Sequence, residues 1–132
     1  MTESGLHRSM KAIVKAELES EDYQVMAEPA FPPANWIHWE SYRPDLLGLR
    51  SDETSESLVI AECETHPNMR RFSAKHYGSL WFEPSVLREG SIRRILAVPR
   101  GKLSALDLTL RRGWEIWVIG KTGPMLKIPT VG

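Results

Sequence analysis

Along the chain, the first regular signal is a stripe of apolar residues at helical spacing. Leu6, Met10, Ile13, Val14 and Leu18 share one face and predict an amphipathic helix over residues 4–19. Glu17 follows Ile13 by four positions and Val14 by three, so its carboxylate falls on or beside that stripe. Such a group sits either at the edge of the core or turned into a site. The polar run Glu19-Ser20-Glu21-Asp22 ends the pattern. Residues 23–27 then read as a strand that stops at Glu28.

Pro32 and Pro33 make residues 31–35 a loop, and residues 36–39 resume extended structure. A second strand is predicted over 43–49, with Pro44 at its start or at an edge. The acidic stretch 51–57 forms a turn into the most apolar strand of the chain, Leu58-Val59-Ile60-Ala61 followed by Glu62-Cys63-Glu64. Asn68 caps a second helix with Met69, Phe72, Tyr77 and Leu80 on one side and Arg70, Arg71 and Lys75 elsewhere. Residues 91–98 predict a strand, 103–112 a helix stopped by Gly113, and 114–119 a last strong strand. The tail, 121–132, carries Gly and Pro and suggests no element. The order is α-β-β-β-α-β-α-β. A strand hairpin followed by two βα crossovers makes an α/β fold, a mixed sheet flanked by helices.

A chain of 132 residues, 42% hydrophobic and 26% charged, fits a single domain (1–132) with a real core. No apolar run approaches the roughly 20 residues that span a bilayer. The N-terminus also lacks the basic-then-apolar order of a secretory signal, so a cytoplasmic protein with no membrane partner is expected. With Cys63 as its one cysteine the chain has no internal disulfide and no Cys-based zinc cluster. Net charge is zero, yet residues 1–66 hold 5 Lys/Arg and 13 Asp/Glu, while residues 67–132 hold 12 and 4. That asymmetry fits an acidic metal pocket beside a basic phosphate-binding surface, or a simple cancellation across the core.

The chemistry concentrates in Pro44-Asp45, then 16 residues, then Glu62-Cys63-Glu64. Two adjacent antiparallel strands bring such ends together. Alternation along the strand turns Glu62 and Glu64 one way and Cys63 the other. Three carboxylates in one place repel unless a cation neutralises them, and hard oxygen ligands suit Mg²⁺ or Mn²⁺. His7, His38, His66 and His76 show no metal-ligand spacing and are expected at the surface. Cys63 reads as a small core residue rather than a nucleophile, since no His-Asp partnership accompanies it. The five tryptophans are core and interface candidates, with stacking on unpaired bases open to one or two.

On Pro44-Asp45…Glu62-Cys63-Glu64 and the element order, the sequence over residues 4–119 resembles the PD-(D/E)xK nuclease superfamily. That superfamily includes restriction endonucleases, Holliday-junction resolvases and phage nucleases. The resemblance implies a restriction-endonuclease-like αβββαβ core and a Mg²⁺- or Mn²⁺-dependent DNA endonuclease. It makes Asp45 and Glu62 metal ligands, with the Cys63 carbonyl adding another. The family usually has lysine where this chain has Glu64, an ExE variant that leaves the general base open. Glu64 could orient or deprotonate the attacking water, or Lys75 could reach back from the second helix. Family members often add a carboxylate from the first helix, which points to Glu17, with Glu28 a second candidate. Arg70, Arg71 and Lys75 would bind phosphate oxygens of duplex or branched DNA. Nucleases of this size usually act as homodimers. Two other readings stay open: a catalytically decayed DNA-binding or assembly module with the same fold, and an enzyme acting on small phosphate esters.

Overall fold

The structure, a computed structural model, describes residues 4–28, 37–38, 44–51, 56–66, 81–82, 92–102 and 114–130. The expected second and third helices, the loop 31–35, and Arg70, Arg71 and Lys75 lie outside those residues. Helix α1 (Gly5–Ser20) follows the apolar stripe and is capped by Ser4, whose hydroxyl accepts the His7 amide at 3.1 Å. It stops where Asp22 takes a left-handed conformation (φ 70°), which a short polar side chain tolerates.

The strands are β1 (Gln24–Ala27), β2 (Ile37–His38), β3 (Leu46–Ser51), β4 (Glu56–Cys63), β5 (Trp81–Phe82), β6 (Ile92–Pro99), β7 (Glu115–Ile119) and β8 (Pro124–Ile128). Six form one mixed sheet in the order β1-β3-β4-β6-β7-β8, while β2 and β5 pair separately. β1, β3 and β4 are antiparallel neighbours; β4, β6 and β7 are parallel; β8 returns antiparallel along β7. Among the described residues, this helix and six-strand mixed open sheet are consistent with a restriction-endonuclease-like core. Among the described residues no helix is long and apolar enough to cross a membrane.

Several boundaries differ from the sequence expectation, among them the expected turn 51–57, into which β3 runs at Ser51 and from which β4 starts at Glu56. β3 begins at Leu46 rather than residue 43, because Pro44 offers no N–H to a ladder and Asp45 spends its side chain on a neighbouring strand. The tail forms β8, an edge strand that opens on Pro124, where a missing N–H costs no ladder bond. Lys127 on β8 lies 4.5 Å above the Trp117 ring.

The core sits on both faces of the sheet. Val59, Ala61, Cys63, Ile95, Ala97 and Trp117 pack under Met10, Val14 and Leu18 of α1, while Leu96, Val98, Ile116 and Val118 form a cluster on the other face. Strand alternation therefore turns Leu58, Ile60 and Glu62 away from α1. At Gly48, opposite Val59, an added Cβ would stand 2.6 Å from Val59 Cγ1 and 3.3 Å from Tyr23 Cβ. Only glycine permits that approach of β3 to its neighbours.

Candidate functional site

The β3–β4 register pairs Leu46 with Ala61, so one step further places Asp45 against Glu62. Both carboxylates are withdrawn from water: Asp45 is 8% exposed and Glu62 fully buried. Asp45 is held from three sides. Its Oδ2 accepts the Cys63 amide at 2.9 Å, its backbone carbonyl accepts the Glu28 amide at 2.9 Å, and its own amide faces Glu62 Oε1 at 3.4 Å. The first pair of the predicted motif is thus assembled by backbone contacts between β1, β3 and β4. Glu64 lies just past the end of β4, half-buried, and its amide continues the ladder onto the Ala97 carbonyl.

Helix α1 contributes two groups that the sequence reading passed over. His7, expected at the surface, has Nε2 3.5 Å from Asp45 Oδ2 and a side chain 21% exposed. Lys11, one turn on, is buried and places Nζ 3.3 Å from Glu28 Oε1. The available signal was spacing: 7, 11, 14 and 18 form a perfect i, i+4, i+7, i+11 row whose last two members are Val14 and Leu18. Two polar residues on that row read as gaps in the stripe. In fact they are its continuation over the site. Among the described residues Lys11, Asp45 and Glu62 are the buried polar and charged residues, and all three belong to this one end of the sheet.

The remaining candidates fall as follows. Glu17 pairs with Lys127 at 2.7 Å, ten positions along α1 from His7. At a rise of about 1.5 Å per residue that is roughly 15 Å away, so the structure does not bring Glu17 to Asp45. Glu28 does lie beside Asp45, in a left-handed conformation (φ 43°), with its carboxylate directed to Lys11 and 55% exposed. A non-glycine residue held there is strained, a condition that recurs at functional sites. The Cys63 thiol is pushed well above its ordinary range, first by burial, then by the charges of Asp45 and Glu62, with Lys11 opposing. It stays protonated, which fits the expected core role and argues against a thiolate ligand or nucleophile.

Among the described residues no group of three His, Cys, Asp or Glu side chains is gathered closely enough to hold a metal ion. What the register places opposite each other is a pair of acids on adjacent strands, Asp45 and Glu62, at the carboxyl end of the parallel strands β4 and β6. That donor chemistry fits Mg²⁺, which keeps several waters and takes one or two carboxylates plus a substrate phosphate. Open α/β sheets bind their ligands at this end.

No protein-family model and no curated protein matches the sequence. Two solved structures are similar. One is an XisH family protein from Nostoc punctiforme, at 15% identity and a TM-score of 0.46 over 91% of this chain and 98% of that one. The other is an fdxN element excision controlling factor protein from Anabaena variabilis, at 12% identity and a TM-score of 0.43 over 92% and 98%.

Proposed function

We propose that this chain is a Mg²⁺-dependent phosphodiesterase that cuts DNA, built on Asp45 and Glu62. The observation that carries this reading is the pair itself: two carboxylates withdrawn from water, on adjacent strands, with backbone groups fixing one against the other. Burying like charges side by side is unfavourable unless a cation is to be received there.

Asp45 and Glu62 would hold Mg²⁺ (or Mn²⁺), which when bound would supply Lewis-acid activation of a phosphoryl oxygen and of water. The chain's own residues do the rest. The Cys63 amide holds Asp45 Oδ2 in one orientation, so the ligand oxygen needs no reorganisation when substrate arrives. His7, against the same oxygen, limits its rotation. Glu64, half-buried and anchored by its amide on β6, would orient or deprotonate the attacking water. Arg70, Arg71 and Lys75 would carry neighbouring phosphates, and a homodimer would cut both strands of a duplex.

The test is cleavage of supercoiled plasmid and of labelled single-stranded, duplex and branched DNA with Mg²⁺ or Mn²⁺. Cutting by the wild type that is lost in both Asp45→Ala and Glu62→Ala supports the reading and assigns two ligands. A second reading, a DNA-binding module with a decayed site, is favoured by Glu64 standing where the motif usually has lysine. DNA binding without cutting on any substrate would select it.

A further inference from the structure

We propose that Lys11 is the phosphate-binding cation of this site, its ammonium exchanging the Glu28 carboxylate for a non-bridging oxygen of the bound phosphodiester. The inference rests on the phosphodiesterase reading and names a residue which that reading does not require.

Lysine is among the residues least often buried, and a buried ammonium needs partners. Lys11 is 9% exposed, on the helix face that meets the core and, through His7, Asp45. One helical turn separates it from His7, which touches Asp45, and its partner Glu28 donates its amide to the Asp45 carbonyl. Its positive charge also reaches Cys63, where it opposes Asp45 and Glu62. A cation serving only to neutralise the buried acids would gain nothing from Glu28, whose carboxylate is more than half exposed. The Glu28 carboxylate is the exposed member of the pair, so it can turn out to water when a phosphate oxygen takes its place on the ammonium. Glu28 also takes a left-handed backbone conformation just past the end of β1. The arrangement is that of an anion subsite with the Glu28 carboxylate as an internal occupant. The natural competitor for it is a phosphate oxygen, which takes charge-assisted hydrogen bonds from ammonium groups. Lys11 donates hydrogen bonds and stabilises charge, and no bond to it forms or breaks.

Three measurements test this. Fluorescence anisotropy with labelled DNA in metal-free buffer should show Lys11→Met binding about tenfold more weakly than wild type. Glu28→Gln, which removes the competitor without touching Lys11, should bind several-fold more tightly. Single-turnover cleavage with Mn²⁺ should fall about 100-fold in Lys11→Met, the scale of losing one preorganised donor to a developing oxyanion. Calorimetric titration of Mn²⁺ into the same variant should show its affinity kept or raised. Methylamine should partly restore cleavage by Lys11→Ala, which a merely structural lysine would not allow. Cleavage by Lys11→Met within threefold of wild type, or no tightening in Glu28→Gln, overturns the assignment and leaves the nuclease reading standing. A wild type that cuts no DNA overturns the nuclease reading. Metal-free binding then decides Lys11 alone: weaker binding by Lys11→Met keeps it as a phosphate ligand, and equal binding or none removes it.

Discussion

Arg93 fastens the end of the sheet opposite the carboxylate pair, and removing it should measurably destabilise the fold. Its guanidinium forms a two-pronged pair with Glu115, Nε to Oε2 at 2.8 Å and Nη2 to Oε1 at 2.9 Å, and Nη1 reaches Glu21 Oε1 at 3.1 Å. The three side chains are 24%, 19% and 33% exposed. Hydrogen bonding to Glu115, against the opposing effect of burial, raises the pKa of Arg93 far above the usual arginine range, so it stays charged at any working pH. Arg93→Met would leave Glu115 and Glu21 facing each other in a poorly hydrated setting. Fully buried pairs cost about 3–5 kcal/mol when one partner is removed and exposed ones about 0–1, so this intermediate case should cost about 2–3 kcal/mol. In urea, followed by tryptophan fluorescence, the midpoint should fall by about 1–2 M. Arg93→Lys should recover only part, because an ammonium cannot span both carboxylate oxygens. The decisive variant is Arg93→Met with Glu115→Met, which removes both charges and should regain more than half of the loss. A single variant within about 0.5 kcal/mol of wild type, or a double variant whose losses simply add, would refute this account of the clamp.

Two further outcomes follow from particular contacts. Gly48→Ala should destabilise by about 1–3 kcal/mol, since the new Cβ would stand 2.6 Å from Val59 Cγ1, and adding Val59→Ala should return much of that in the same urea assay. Because burial raises the Cys63 thiol, the folded state holds that proton where the unfolded chain, titrating near 9.0, releases it. The associated stability is complete below that pH and is lost above it at up to about 1.4 kcal/mol per pH unit. Cys63→Ala should lack this alkaline slope. Equal slopes in the two proteins would show that the thiol is not the cause.

Much of this architecture was legible because it rests on apolar patterning. The α1 stripe, the apolar run of β4 ending in acids, and the strands at β6 and β7 all combine strong periodicity with burial. Asp45 and Glu62 were legible as a pair because antiparallel neighbours bring their ends together. What escaped had physical reasons. β8 is an edge strand with Met125 and Leu126 exposed and Pro124 at its start, so it carries little of the burial that makes a strand visible. His7 and Lys11 are polar residues on a buried row, and pattern reading counts polar residues as breaks. Glu17 was placed beside the right stripe, but spacing reports which face a residue occupies and not which end of the helix meets a partner.

The close approach at Gly48 reaches further than its own packing. Asp45 and Glu62 lie three positions from the Gly48–Val59 contact, about 10 Å along the strands. A slip of one residue in this hairpin would reverse which face each of those carboxylates meets. It would also bring Leu47 or Leu49 to the place where no Cβ fits. During folding, a misaligned hairpin is therefore penalised by crowding before any ligand can test its chemistry. Alignment of the reactive groups is proofread by a residue that has no side chain and takes no part in the reaction.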